Sequence, residues 1–454
     1  MRLGYHRRRA AWFGAGLSQS KRFAAQERLP QAELACIRRQ RLERLLDHAR
    51  EHSAFYRERI PPGPVALERI PVLEKAEMME RFDDLVTDPG LRRDRLLEWI
   101  DTRRRDEFFE DRYRVMTTSG SSGRKGLFVY DRAGWAAIGG QFLRGSAWMG
   151  LRPAIPRRRL AMLGGASLTH MSSQGAATLR VGVHKVLGLA ATLPVDEQVA
   201  ALNRFQPQFL NAYPSVVLRL AEEQEAGRLR LSLTAMSTSS ELRTPDMTER
   251  IAAAFGVVPF DFYATTEGLF GYECERHDGI HLFDTASVVE NVDEDGRPVP
   301  PGTPGTRVLV TNLHNLVQPI VRLAVSDVLT LHPEPCACGR SLVRAAAIEG
   351  RRDDALSLPA RGGGTVTVLP AQFSVITRDR AVREFQVRQE PGGLRVLVVP
   401  CAGAGPDLEQ RIGAAVGQAM DDLGADAPVL VERRDELARR GGKLQIVVAR
   451  PPEG

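Results

Sequence analysis

The stretch VMTTSGSSGRKGLFVYD, residues 115–131, decides how the rest of the chain is interpreted. Apolar residues typical of strands flank a run of Thr, Ser and Gly that ends in Arg124, Lys125 and Gly126, which predicts a tight loop between strands. Glycines let the backbone approach a polyanion, and successive N–H groups, hydroxyls and a lysine supply donors and positive charge. The run does not fit the Walker A motif G-x-x-x-x-G-K-[ST]. We interpret it as a phosphate-binding loop rather than a flexible Ser/Gly surface loop.

Length and composition restrict the class of protein. The 454 residues allow two or more domains with a large core. The net charge of +6 is spread along the chain without a basic stripe that includes aromatic residues, so the sequence does not favour a nucleic-acid partner. No apolar run approaches the roughly 20 residues that span a bilayer, and five cysteines do not form a disulfide framework. We therefore expect a cytoplasmic protein with no membrane partner.

The order of predicted elements indicates an α/β fold. Between residues 132 and 255, helical and strand-like stretches alternate, which is typical of largely parallel strands. Residues 265–350 have the pattern of strands joined by turns, which predicts a small antiparallel, barrel-like subdomain. The prediction is a large N-terminal domain of several subdomains with mixed or parallel sheets (1–350), a hinge (351–354) and a small α+β C-terminal domain (355–454).

A series of short motifs follows the loop in a fixed order. They are YATTEG at 263–268, Ser326-Asp327, GRRDD at 350–354 and Gly442-Lys443. This series resembles the adenylate-forming superfamily of acyl-CoA synthetases, peptide-synthetase adenylation domains and luciferases. SAFYR at 53–57 and IPVLEK at 70–75 are similar, more narrowly, to the phenylacetate–CoA ligase branch. The resemblance covers about residues 30 to 450.

The resemblance implies a two-step reaction. A carboxylate attacks the α-phosphate of ATP to give an acyl-AMP and pyrophosphate, and a thiol, typically that of coenzyme A, then takes the acyl group. Displacement at phosphorus depends on positioning and on neutralisation of charge rather than on a protein nucleophile. ATP, Mg²⁺ and coenzyme A are therefore the implied cofactors, and a carboxylic acid, aryl or arylacetic in this branch, is the implied substrate.

The same resemblance implies the nucleotide site. The loop would hold the β- and γ-phosphates, Tyr263 would pack on adenine, Thr266 would reach a phosphate and Glu267 would hold Mg²⁺, with Glu241 also at the nucleotide. Asp327 would accept hydrogen bonds from the ribose, assisted by Arg351, although Val325-Ser326 replace the Thr-Gly that usually precedes this aspartate. The loop residues concerned are Thr117, Thr118, Ser119, Gly120, Ser121, Ser122 and Gly123, with Lys125 as a catalytic cation.

The remaining implied residues belong to the C-terminal domain and the acid pocket. Lys443 would bridge the carboxylate substrate and the α-phosphate, and Asp353 lies at the hinge about which a mobile C-terminal domain rotates. His170, Tyr213 and Ser239 are candidates for the acid pocket, with packing or capping as the alternative role.

Cysteine and histidine residues flank the antiparallel region and predict a structural zinc site. Three thiolates and one imidazole form a standard closed tetrahedral site. We expect the ligands Cys274, His281, Cys336 and Cys338, with His277 as the competing fourth ligand. Some relatives in this branch carry a similar pattern with zinc, and the alternative is a set of unrelated cysteines.

Several alternatives remain open at this stage. The acceptor could be a carrier-protein thiol, an amine or an inorganic nitrogen nucleophile instead of coenzyme A. A non-catalytic nucleotide-binding or scaffolding relative is disfavoured, because it has no physical need for Lys125, Glu267, Asp327, Arg351 and Lys443 together. A homodimer is also left open.

Overall fold

The computed structural model describes residues 2–118, 126–440 and 442–449. The α-helices of these residues are α1 Arg2–Ala24, α2 Gln31–His52, α3 Ala54–Arg59, α4 Lys75–Glu80, α5 Phe82–Leu85, α6 Arg93–Thr102, α7 Arg132–Trp148, α8 Met171–Leu179, α9 Val195–Phe205, α10 Pro214–Glu225, α11 Pro245–Phe255 and α12 Leu408–Asp422. Short 3-10 helices occupy Leu67–Arg69, Arg352–Asp354 and Pro370–Arg378. No helix in these ranges has the length and apolar character needed to cross a membrane.

Two small antiparallel sheets lie outside the large central sheet that is described next. Strands β1 (Arg114–Thr117) and β2 (Leu127–Tyr130) form an antiparallel hairpin around the predicted phosphate-binding loop. A three-stranded antiparallel sheet consists of β10 (Ser287–Val292), β11 (Arg307–Asn312) and β12 (Leu323–Val325).

A nine-stranded mixed sheet forms the centre of the large domain. Its order is β13-β14-β9-β8-β7-β6-β5-β3-β4. The parallel part contains β3 Arg159–Gly164, β4 Lys185–Ala190, β5 Phe209–Ala212, β6 Ala235–Thr238 and β7 Phe260–Thr265, and the antiparallel part adds β8 Gly268–Glu273, β9 Ile280–Leu282, β13 Asp327–Leu331 and β14 Arg344–Arg351. Ligands of open α/β sheets bind beyond the carboxyl ends of parallel strands, and this edge carries the site described below.

The C-terminal region has its own core. A four-stranded sheet has the order β19-β18-β17-β22, and α12 packs Ile412, Val416 and Met420 into its apolar core. The strands of this region are β15 Leu356–Pro359, β16 Thr365–Val368, β17 Val382–Glu390, β18 Gly393–Pro400, β19 Val429–Arg433, β20 Arg439–Arg440, β21 Lys443–Leu444 and β22 Val447–Val448.

Most elements begin and end where local chemistry predicts. Thr244 caps α11 by accepting a hydrogen bond from the Met247 N–H, and Gly256 ends the helix with a φ of 70°. Helix α9 buries Val199 and Leu202, as its amphipathic pattern requires. The α/β fold predicted from the sequence is confirmed.

The strands of 265–350 and the N-terminal helix differ from the sequence prediction. The strands of 265–350 do not close into one separate sheet, because β8, β9, β13 and β14 continue the large sheet while β10–β12 form the small one. Within this region β9 ends at Leu282, and β10 begins at Ser287. The long helix α1 was not predicted at all; it packs along α7, where glycines at positions 16, 139 and 140 allow the two backbones to approach closely.

Candidate active site

An apolar cavity of about 150 Å³ lies at the carboxyl ends of β3, β5 and β7. Single faces of two helices form much of its wall, because the lining residues recur at intervals of three and four. These residues are Trp135, Ile138, Gly139, Phe142 and Leu143 of α7 and Met171, Ser172, Gly175, Thr178 and Leu179 of α8. Helix α1 completes the wall with Trp12, Phe13 and Gly16, which the sequence analysis did not identify.

Polar groups enter this cavity from a few positions. His170, Tyr213 and Ser239, predicted for the acid pocket, all line it, and so does Lys443. The Lys443 Nζ atom lies 5.4 Å from the centre of the Tyr213 ring. The structure therefore brings the C-terminal lysine to the predicted acid pocket, although more than 200 residues separate the two in the sequence.

His170 caps a helix and also lines the cavity. It caps α8, because its Nδ1 accepts a hydrogen bond from the Ser172 N–H at 3.2 Å. It also lines the cavity, where burial and then the charge of Lys443 lower its pKa to about 4. His170 is therefore neutral at physiological pH, and with Nδ1 as acceptor its proton lies on Nε2.

The hairpin β1–β2 brings Thr118 and Gly126 to the same region. These two residues form the neck of the predicted phosphate-binding loop, called the phosphate loop below. The Thr118 N–H donates to the Gly126 carbonyl at 3.0 Å, and the Gly126 N–H donates to the Thr118 hydroxyl at 2.8 Å. The Tyr130 hydroxyl donates to the Thr266 carbonyl at 2.8 Å, which ties the hairpin to the turn after β7. The predicted loop residues Ser119, Gly120, Ser121, Ser122, Gly123 and Lys125 lie outside the described residues.

Tyr263, Asp327 and Arg351 form a connected group. The Tyr263 hydroxyl donates to the Asp327 carboxylate at 2.7 Å, and Arg351 Nε lies 3.5 Å from the other carboxylate oxygen. Antiparallel pairing of β13 with β14 sets Asp327 directly opposite Arg351. Burial raises the pKa of Asp327, and Arg351 and the Tyr263 hydroxyl oppose that rise.

The turn between β7 and β8 carries Thr266 and Glu267. Thr266 lines the cavity, and Glu267 is only 4% exposed, with its carboxylate 3.4 Å from the Lys75 ammonium. A Cβ atom added at Gly126 would lie 2.6 Å from Lys75 Cε, so the lysine stem crosses the neck of the phosphate loop. Lys75 is part of the IPVLEK motif, and its contact with Glu267 was not predicted. Lysine is rare in this chain, which was the signal that could have identified it.

The segment that carries Lys443 is held against the large domain. The Glu241 carboxylate accepts hydrogen bonds from the Leu444 N–H at 2.8 Å and from the N–H and hydroxyl of Ser215 at 3.0 and 3.1 Å. Arg439 also donates to the Ser215 hydroxyl at 2.9 Å. Glu241, predicted near the nucleotide, thus contacts the Lys443 segment directly.

The charges of Asp327 and Arg351 also act on the Lys443 ammonium. Burial lowers its pKa, and Arg351 contributes to that shift, whereas Glu241 and Asp327 oppose it. Asp353, predicted at the hinge, lies in the 3-10 helix Arg352–Asp354, and the neighbouring Asp354 accepts a hydrogen bond from Gln445 at 3.0 Å. The predicted hinge thus contacts the same C-terminal segment.

A second cluster contains the predicted zinc ligands. The ligand atoms of Cys274, His281, Cys336 and Cys338 all lie within 4.8 Å of one another. The sulfurs of Cys274 and Cys336 are 3.8 Å apart, and the Cys338 sulfur lies 3.4 Å from His281 Nε2. Tetrahedral bonds of about 2.3 Å place two sulfurs roughly 3.8 Å apart, so the four residues fit zinc. His277, the competing ligand, lies outside the cluster, with Nδ1 3.2 Å from Glu273.

Comparison with curated proteins found a phenylacetate–coenzyme A ligase of Thermus thermophilus. It is 27% identical to this chain over 376 residues, which cover 77% of this chain and 76% of the relative. No family model matches the chain.

Comparison with solved structures found 2-hydroxyisobutyryl-CoA ligase in two arrangements. In the postadenylation state with 2-HIB-AMP, the TM-score is 0.77 at 23% identity, covering 94% of this chain and 91% of the other. In the thioesterification state, the TM-score is 0.63 at 24% identity, covering 93% and 91%. The overall arrangement of this chain is therefore more similar to the postadenylation structure than to the thioesterification structure.

Proposed function

We propose that the chain belongs to the phenylacetate–CoA ligase-like branch of the adenylate-forming superfamily and that it joins a carboxylic acid to coenzyme A. ATP would be converted to AMP and pyrophosphate, with an acyl-AMP as the intermediate. The observation that carries the proposal is the position of Lys443, which lines an apolar cavity together with Thr266, beside the buried Glu267 and the Tyr263–Asp327 pair.

In the first step, a carboxylate oxygen of the acid attacks the α-phosphorus of ATP. The new oxygen–phosphorus bond forms as the bond from the α-phosphorus to the bridging oxygen breaks, and pyrophosphate leaves with the electron pair. The Lys443 ammonium would neutralise negative charge shared by the acid carboxylate and the α-phosphate. A point charge on a flexible stem suits this role, because both partners move as the bond forms.

The nucleotide itself would be held by the Tyr263–Asp327 pair and by the phosphate loop. Asp327 has the acceptor oxygens that a ribose diol requires, and Tyr263 fixes that carboxylate through a 2.7 Å hydrogen bond. The phosphate loop would cover the β- and γ-phosphates, with its neck closed by Thr118 and Gly126.

Glu267 fits the role of the Mg²⁺ ligand. Its carboxylate is buried next to the neck of the phosphate loop, and the positive charge beside it is the Lys75 ammonium at 3.4 Å. Magnesium prefers oxygen ligands and, when bound with ATP, would offset the charge of the phosphates.

In the second step, the thiol of coenzyme A attacks the acyl carbonyl carbon, the bond to the AMP oxygen breaks, and AMP leaves. The Lys443 segment covers the cavity through the contacts of Glu241 and Arg439, so the thiol needs this segment to withdraw. We propose that the C-terminal region rotates about residues 351–354 between the two steps.

The size and lining of the cavity support an aryl or similarly compact apolar acid. A volume of about 150 Å³ is sufficient for one benzene ring in an apolar cavity of a protein. Three aromatic side chains that contribute to its wall are Trp135, Phe142 and Phe262. The acid carboxylate would then lie towards Lys443, with the apolar body among these rings.

Structural zinc is proposed for the Cys274 cluster. This cluster joins the end of β8 to the loop between β13 and β14, while Glu267, Asp327 and Arg351 lie at the opposite ends of these strands. Zinc would hold the strands in register and thereby keep the nucleotide group in place, without taking part in the chemistry.

The proposed function is tested with the full chain, ATP and Mg²⁺ by acid-dependent exchange of labelled pyrophosphate into ATP. We expect exchange with single-ring aryl or arylacetic acids, and no exchange with any acid would overturn the assignment. The acceptor is identified by adding coenzyme A, a carrier-protein thiol or an amine to the preformed adenylate. Thioester formation with coenzyme A is the expected result.

Replacing Lys75 with alanine is expected to raise the KM for MgATP. Loss of one charge-assisted hydrogen bond of the Lys75 ammonium costs about 1.5–3 kcal/mol, which corresponds to a rise in this KM of roughly 10- to 100-fold. Lys75→Arg, which keeps the charge, should be affected less. The KM for the acid should change little, because Lys75 lies beside Glu267 at the phosphate loop and does not line the acid cavity.

The matched control is Lys185→Ala, which removes an exposed lysine from β4. It should leave both KM values unchanged. An unchanged KM for MgATP in Lys75→Ala would contradict the proposed position of the triphosphate.

A further inference from the structure

Helix α1 supplies part of the acid cavity, although it lies before the region in which the sequence resembles known ligases. Trp12 and Phe13 line the cavity together with the α7 face, and both rings are nearly fully buried. The position of α1 is fixed by close contact with α7, because a Cβ atom added at Gly140 would lie 2.7 Å from Gln19 Cβ. The Trp12 ring is also held by Phe108, at a centroid distance of 4.7 Å.

Trp12 has a second cavity on its other side. This open cavity has a volume of about 610 Å³, and among the described residues Trp12 is the one that lines both cavities. The wall of this second cavity includes charged residues, namely Arg8, Arg112, Arg132, Asp88, Asp111 and Asp131. Arg8 and Asp111 also form an ion pair at 2.6 Å that ties α1 to the loop before β1.

The two cavities differ in what they can hold. The acid cavity next to Trp12 is bounded by aromatic and aliphatic side chains, so it favours an apolar group without a polar tail. The cavity beyond Trp12 is open and has charged side chains in its wall, so an apolar group that enters it is enclosed less completely than in the acid cavity. A single indole therefore separates an apolar site of one-ring size from a larger, open cavity.

We propose that Trp12 limits the length of the acid that this enzyme accepts, and that its substrates are compact apolar acids of about one ring. This inference rests on the proposed function. It assigns α1 a direct part in substrate selection: the indole would contact the end of the acid remote from the carboxylate. Removing the indole would join the two cavities and create room for a longer acid.

The test compares wild-type protein with Trp12→Ala and the milder Trp12→Phe on benzoate, phenylacetate, 4-butylbenzoate and biphenyl-4-carboxylate. Acid-dependent pyrophosphate exchange gives kcat/KM for each acid. We expect the ratio of biphenyl-4-carboxylate to benzoate to rise at least about tenfold in Trp12→Ala, since misfit by a few carbons in an apolar pocket changes kcat/KM by roughly 10- to 200-fold. The ratio for Trp12→Phe should lie between those of the wild type and Trp12→Ala.

Trp99→Ala is the matched control, because it removes a partly buried indole from α6 that lines neither cavity. Its acid profile should equal that of the wild type. If both Trp12 variants keep the wild-type ratio while remaining folded by circular dichroism, the proposal is wrong.

Calorimetric binding of the same acids separates this proposal from the proposed function. Absence of exchange with every acid would overturn the ligase assignment. Tighter binding of biphenyl-4-carboxylate to Trp12→Ala than to wild type would still support the role of Trp12, and equal binding to both would refute it. If Trp12→Ala does not fold, the same binding comparison between Trp12→Phe and the wild type tests the role of Trp12.

Discussion

Lys443→Ala is expected to lower the rate of acyl-AMP formation by about 10²- to 10³-fold, the cost of removing one preorganised group that stabilises transition-state charge. Lys443 lines the acid cavity and is held there through the contact between Glu241 and the Leu444 N–H. The expected loss is confined to the first half-reaction. Thioester formation from supplied acyl-AMP and coenzyme A should stay close to the wild-type rate, because the segment must leave the cavity before the thiol enters.

The two half-reactions are measured separately, by pyrophosphate exchange and by release of AMP from synthetic acyl-AMP. Lys21→Ala, an exposed lysine at the end of α1, is the control and should leave both rates unchanged. Equal loss of the two half-reactions in Lys443→Ala would show that Lys443 does not have the role proposed for it.

Replacing both Cys336 and Cys338 with serine is expected to remove about one zinc per chain and to destabilise the large domain. Apparent binding free energies of structural zinc are of the order of 10 kcal/mol, comparable with the whole stability of a typical domain of about 5–15 kcal/mol. We expect a marked fall in the melting temperature together with weaker ATP binding, because the far ends of the strands that the cluster joins carry Asp327 and Arg351 and lie next to Glu267.

Cys36→Ser provides the control, since Cys36 lies in α2 and outside the cluster. Its zinc content and melting temperature should match those of the wild type. A purified wild-type protein without zinc, melting at the same temperature as the double variant, would contradict the structural role of the metal.

The grouping of the candidate nucleotide-site residues was expected from the order of short motifs along the chain. The resemblance of this motif series to the adenylate-forming superfamily implied that Tyr263, Thr266 and Glu267 lie near the predicted phosphate-binding loop. The structure agrees in that Tyr263 contacts Asp327 across 64 positions of sequence. The order of the motifs, rather than any one of them, made this prediction strong.

Helix α1 could not be predicted in the same way. Its buried residues Trp12, Phe13, Gly16 and Phe23 share one helix face, but the contact at Gly16 has no side chain and so does not contribute to an apolar pattern. The contact of Lys75 with Glu267 joins positions 192 residues apart and is set by tertiary packing. Both features depend on tertiary packing that a sequence pattern does not encode.

The transfer of oxygen from the acid to AMP tests the central claim most directly. The full chain is supplied with ATP, Mg²⁺, coenzyme A and a single-ring aryl acid that carries ¹⁸O in both carboxylate oxygens, and AMP is analysed by mass spectrometry. Attack of the carboxylate on the α-phosphorus, followed by cleavage of the acyl carbon–oxygen bond, predicts one ¹⁸O atom in each AMP. Unlabelled AMP, or label in inorganic phosphate with ADP as the product, would contradict an acyl-AMP intermediate.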